Sequence, residues 1–161
     1  VKERIVREQV NIVDAPPGTS CPVIAALKGA DFALLVTEPT PFGLNDLILA
    51  VEAVRALKMP LGVALNRAGN GDSGVQSYLA RENIPLLLEI PMDRKIAEAY
   101  SRGQMIVDVM PEWKEKFREL YQKIEDIFNT RGTHEGTDCN QRQGRDREDQ
   151  SGCGLCQSGR E

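Results

Sequence analysis

The chain is short of histidine, of cysteine and of long apolar runs, and each shortage closes off a class of function. The one histidine in 161 residues, His134, lies in a polar C-terminal stretch and is no candidate general base. Four cysteines are too few and too unevenly placed for a disulfide framework. Cys21 stands alone, while Cys139, Cys153 and Cys156 lie near the end of the chain. The longest apolar runs are strand-sized and broken by Pro, Gly or a charge. No membrane span and no signal peptide are therefore expected, and the default compartment is the cytoplasm. A net charge of −4 with acids and bases intermixed leaves no basic stripe, which argues against a nucleic-acid partner. The first residue is Val1 rather than Met, and Val1 to Gln9 reads as the end of a charged helix; an N-terminal portion is expected to precede it.

What is present is an alternation of short apolar runs and amphipathic stretches, in a chain long enough for one domain with a real core. Val10 to Val13 reads as a buried strand that ends in Asp14-Ala15-Pro16-Pro17-Gly18. Thr19 and Ser20 are placed to cap a helix over Pro22 to Lys28, closed by Gly29. Phe32 to Val36, Leu61 to Leu65 and Leu86 to Ile90 read as three further buried strands. Between them, one helix starts at Gly43 or Asn45 and another at Asp72 or Ser73, with a third over Arg94 to Ser101. Pro111 opens a last helix whose Trp113, Phe117, Leu120, Tyr121, Ile124, Ile127 and Phe128 form one apolar stripe, more fitting for packing on a sheet than for a membrane surface. From Asn129 to Glu161 the composition turns polar and Gly-rich, and a structureless tail is expected there, leaving residues 1–128 as the folded part. Alternating strands and helices imply an α/β fold: a parallel sheet with right-handed crossovers and helices on both faces.

Four strand ends then fall on one edge of that sheet: Asp14 to Gly18, Thr37-Glu38-Pro39, Asn66-Arg67 and Ile90-Pro91-Met92-Asp93. Taken singly, each has a plain structural reading as a cap, a turn former or a solvated loop residue. Taken together, polar residues at successive carboxyl ends are the material of a binding crevice. An acid at a strand end followed by Gly can hold a Mg²⁺ hydration shell while the Gly N–H meets a phosphate. An Asn at another strand end offers a donor and an acceptor together, as a purine edge requires.

Asp14-Ala15-Pro16-Pro17-Gly18-Thr19-Ser20 resembles the Walker B/switch II segment of the MinD/ParA/Mrp group of deviant-Walker-A P-loop ATPases. The stretches from Val36 to Leu47, Leu65 to Gly69 and Ile90 to Ala97 are similar to the branch of MinD-superfamily ATPases that carries an inserted ferredoxin domain. The resemblance covers roughly Gln9 to Ile127, with four separated motifs agreeing in order and spacing. It implies that Asp14 binds Mg²⁺, that Gly18 senses the γ-phosphate of ATP, and that Asn66 hydrogen-bonds the adenine with Arg67 beside it. It implies that Pro91 and Asp93 lie against the base and its sugar. It further implies a homodimer joined by ATP and separated by hydrolysis, with iron–sulfur or redox proteins as clients. The chain departs from the pattern: no G-x-x-x-x-G-K-[ST] occurs in it. The phosphate-binding lysines, the switch I acid and the ferredoxin-like insert of the family are absent. The chain thus looks like a C-terminal half, with weak or no ATP hydrolysis expected from it alone.

Cys153-Gly154-Leu155-Cys156 is a CxxC, a spacing that suits zinc or an iron–sulfur cluster; unligated thiols in a polar tail are the plainer reading. Cys21 reads as a small buried residue in preference to a reactive thiol. Two rival functions remain beside the ATPase half: a non-catalytic scaffold or metal or cluster carrier built on the tail cysteines, and an amidotransferase or ligase of the cobyrinate-synthase type.

Overall fold

In the computed structural model, residues 9–18, 20–69 and 73–135 are described, the last five without their side chains. Three parallel strands form the sheet: β1 (Ala33–Thr37), β2 (Leu61–Ala68) and β3 (Leu86–Pro91), in the order β1-β2-β3. Their partners on the chain are α1 (Cys21–Leu27), α2 (Pro41–Ala56), α3 (Gly74–Arg81), α4 (Arg94–Ser101), α5 (Ile106–Val109) and α6 (Glu112–Glu135). The α/β class with a parallel sheet flanked by helices is as the alternation predicts.

The larger part of the core lies where α2 and α3 cover the sheet. Leu47 and Val51 of α2, and Val75, Tyr78 and Leu79 of α3, pack on Val63 and Leu65 of β2. These helical positions fall three and four apart, so each helix turns one apolar stripe to the strands. A second cluster, Ala33, Val54 and Met59, closes the opposite end of β1. On the other face, Leu87 sits directly over Gly62. A Cβ on Gly62 would lie 2.4 Å from Leu87 Cδ1 and 2.9 Å from its Cγ, so β2 needs glycine there. Lys123 of α6 donates to the Leu87 carbonyl at 3.0 Å, and Trp113 at the start of α6 is almost completely buried.

Several elements differ from the sequence-based expectation, each for a local reason. Val10 to Val13 is not a strand, and Val10 and Ile12 are exposed. An apolar run becomes a strand only where a neighbouring edge supplies backbone partners, and no described strand pairs with this one. α2 begins at Pro41, earlier than Gly43 or Asn45, because Thr40 takes the cap: its Oγ1 accepts from Gly43 N–H at 3.0 Å. Ser20 and Ser73 occupy their cap positions without a side-chain capping bond. β2 runs on through Asn66 and Arg67 to Ala68. A short helix, α5, fills the stretch before Pro111. α6 continues to Glu135, past the change of composition at Asn129. Poor core-forming composition limits burial, but it does not by itself stop a helical ladder from propagating. Within α6, Tyr121 and Phe128 are exposed, so the apolar stripe is only partly covered.

The chain divides into two units, Val1–Asn129 and Thr130–Glu161. The first holds all three strands; in the second, only the last turns of α6 are described. Among the described residues no helix is long and apolar enough to cross a membrane.

Candidate functional site at the carboxyl edge of the sheet

The pairing of β2 with β3 changes register twice. Val63 faces Leu86 but Ala64 faces Leu88, so β3 carries one extra residue, Leu87. Further on, Leu65 faces Glu89 but Ala68 faces Pro91, so Asn66 and Arg67 together oppose Ile90 alone. The second irregularity restores the register that the first displaced. A bulge of this kind re-aims side chains and bends its strand. Its backbone signature is Arg67, at φ +55°. Among the described residues two other non-glycine residues have positive φ, Lys58 and Asn83, and both follow the end of a helix, where that conformation is common. Arg67 adopts it inside a strand, where a bulky side chain pays about 1 kcal/mol or more.

The bulge lies at the carboxyl edge of the middle strand. Asn66 is half-buried and Arg67 exposed. On the β1 side, Arg67 Nη1 lies 3.4 Å from Glu38 Oε2. On the β3 side, Met92 N–H donates to the Ala68 carbonyl at 3.1 Å, which holds Pro91 and Met92 against the end of β2. Asp93 is committed to α4: its carboxylate accepts from Lys95 N–H at 2.8 Å as an N-cap. The loop carrying Glu38 is held firmly. Thr37 is buried and its hydroxyl donates to the Gly43 carbonyl at 2.9 Å. Thr40 N–H donates to the Glu38 carbonyl at 2.8 Å, and Pro39 is buried. A Cβ on Gly43 would stand 2.4 Å from that same Glu38 carbonyl, so this turn closes only around glycine.

The expected residues therefore separate into two groups. Asn66, Arg67, Pro91 and Asp93 come together at one edge. Asp14 and Gly18 lie in an exposed, irregular segment outside the sheet, Gly18 at φ +93°. Asp14 thus does not emerge from a buried strand: the run before it is irregular and exposed and pairs with none of the described strands. The residues at the β2 and β3 ends suit a purine and its sugar, with an amide, a guanidinium and an apolar proline available. For magnesium and the phosphates the fit is poor: Asp14 is an exposed carboxylate in an irregular segment, and no lysine-bearing glycine loop exists in the sequence.

Among the described residues no group of three or more His, Cys, Asp or Glu side chains is arranged to hold a metal. Cys153 and Cys156 lie outside the described residues. Cys21 is exposed at the first position of α1, contrary to the expectation of burial, because only Val23 of that helix turns fully inward. Glu38 is placed by the sequence at one of the four strand ends of the expected crevice, but without a ligand role of its own. The signal was available: in a β-α-β order β1 and β2 are neighbours, so an acid ending one strand and a base ending the next fall side by side.

No family model matches the chain. An uncharacterized protein of Methanocaldococcus jannaschii is 36% identical over 121 residues, 75% of this chain and 39% of that protein. A second uncharacterized protein of the same organism is 25% identical over 124 residues, 76% of this chain and 42% of its own length. The iron-sulfur cluster carrier protein of Rickettsia felis is 29% identical over 103 residues, 62% of this chain and 32% of the carrier. The chain is a distant homologue of proteins named iron-sulfur cluster carrier protein. It spans about two fifths of the length of the first two relatives and about a third of the carrier.

Proposed function

We propose that this chain is the adenine-binding portion of a MinD/Mrp-like ATPase that serves iron–sulfur or redox proteins. The observation that carries the reading is the bulge at Asn66-Arg67. It turns an amide and a guanidinium out of the middle strand, between Glu38 on one side and Pro91–Asp93 on the other. Ligands of open α/β sheets gather at that edge. The Asn66 side chain offers the paired donor and acceptor that an adenine edge requires. Pro91 supplies an apolar surface for the base, and Asp93, fixed as a helix cap, lies within the same strand end for the sugar. Magnesium-assisted transfer of the γ-phosphoryl group to water is the chemistry that bound ATP and Mg²⁺ supply. In this reading Asp14 and Gly18 belong to the phosphate side, which is completed by groups that the chain does not contain, and hydrolysis and ATP-driven homodimerisation are properties of the complete assembly. The similarity to iron-sulfur cluster carrier proteins supports the choice of client.

Calorimetric titration of ATP with magnesium into the chain, with Asn66→Ala beside it, tests the reading. Binding to the unaltered chain, weakened about tenfold or more by the substitution, is the expected result; a lost base contact of about 1.4 kcal/mol accounts for that factor. Equal affinities remove Asn66 from the site.

A second reading, a cluster carrier that uses Cys153 and Cys156, is favoured by the name of the carrier relatives. Anaerobic reconstitution with iron and sulfide separates the two. A stoichiometric cluster that disappears in Cys153→Ser/Cys156→Ser supports the carrier, and no cluster in the unaltered chain removes it.

A further inference from the structure

We infer that Glu38 is a positioning residue: its carboxylate holds the Arg67 guanidinium as a wall of the cleft in which Asn66 meets a purine base. The inference rests on the adenine-site reading above and adds to it a role for Glu38, which that reading uses only as a flank of the bulge. Three observations support it. First, Arg67 takes a left-handed backbone inside a strand, so the chain accepts a conformational cost to turn this side chain out of the sheet. Strain of this kind persists where its surroundings over-determine it, and among the described residues Arg67 pairs with Glu38 at 3.4 Å.

Second, Glu38 is itself held in place. The buried Thr37 hydroxyl, the Thr40 N–H and the glycine-only turn at Gly43 fix the backbone on both sides of it, and Pro39 is buried. A carboxylate on such a loop gives a guanidinium a defined partner, where a mobile surface acid would not. Third, β2 is the middle strand, so Asn66 lies between the Glu38 loop and the Pro91–Asp93 segment. Pairing with Glu38 keeps the planar guanidinium on the β1 side and leaves the half-buried Asn66 amide accessible. Guanidinium planes stack on aromatic rings, so in this position the group serves as a face for the base. Without Glu38, Arg67 samples its other rotamers and the cleft is assembled for only part of the time. The apparent affinity then falls in proportion to the competent fraction.

The test uses the whole chain and four variants: Glu38→Ala, Glu38→Gln, Glu38→Asp and Asn66→Ala. ATP with magnesium is titrated into each by calorimetry, and the Arg67 Nε–H resonance of each free protein is recorded by NMR. The expected result is a Kd raised about fivefold by Glu38→Ala and Glu38→Gln, corresponding to a competent fraction near one fifth. Glu38→Asp recovers the affinity to within about twofold, since it keeps the charge on the same fixed loop. The Arg67 Nε–H signal shifts in the Ala and Gln variants while thermal midpoints stay put, a pattern that a purely structural role for Glu38 does not give. If the unaltered chain binds ATP, Asn66→Ala weakens it and the Glu38 variants bind as tightly as the unaltered chain, the positioning role is overturned and the adenine site stands. If the unaltered chain takes up no ATP, both fall.

Discussion

At the scale of single residues, side-chain pairs on this protein do two different jobs. Glu38 with Arg67 sits at the candidate site, whereas Arg55 with Glu82 ties α2 to the end of α3. Arg55 Nη1 donates to Glu82 Oε2 at 2.7 Å, and Nη2 donates to the Glu82 carbonyl at 2.9 Å. The hydrogen bond from Arg55 holds the Glu82 carboxyl below its ordinary value of 4.5. A carboxyl whose pKa is depressed by folding stabilises the fold above its unfolded value, and that contribution is lost as pH falls through the folded one. Urea unfolding of the unaltered chain and of Glu82→Gln should therefore differ at pH 7, with the unaltered chain the more stable. The difference should shrink as pH falls below 4.5 and through the lower folded value. A difference that does not shrink on acidification contradicts this role. Leu65, with no exposed surface in the middle of the core, tests packing instead. Leu65→Ala should cost about 2–5 kcal/mol in the same assay, as cavity-forming core substitutions do.

At the scale of elements, the tight turns carry the most specific expectations. Gly62→Ala drives a methyl group into the buried Leu87, which has to shift to make room. Overpacking of this kind costs about 1–3 kcal/mol, and thermal unfolding should show it as a lowered midpoint. The same level shows what a sequence can and cannot reveal. Apolar periodicity makes β1, β2, β3 and the helices between them legible, because Leu47, Val51 and Val54 repeat at helical spacing and Leu61 to Leu65 is continuous. The bulge is not legible, since it depends on how Leu65 to Ala68 lines up with Glu89 to Pro91, a relation between two segments. The same holds for Val10 to Val13: its apolar character states a readiness to pair, and pairing needs a second edge. β1 has one side unpaired among the described strands, and its Leu34 and Val36, which share one face of the strand, are exposed.

At the scale of the whole molecule, the carboxyl edge of the sheet is, in the proposed reading, the base side of a nucleotide site. Asn66, Arg67, Pro91 and Asp93 meet at its carboxyl edge, and the order of the strands accounts for their meeting. Those four were readable as strand-end residues; their joint geometry, and the part of Glu38 in it, required the register of the sheet. Asp14 and Gly18 lie in an exposed, irregular segment outside the sheet. The central claim is that this edge receives adenine. The most direct measurement is an amide NMR map of the unaltered chain titrated with ATP and magnesium. The account predicts shifts at Glu38, at Asn66 to Gly69 and at Met92 to Lys95, with the helical surface of α5 and α6 unchanged. Shifts confined to α5 and α6, or no shifts at millimolar ATP, would contradict it.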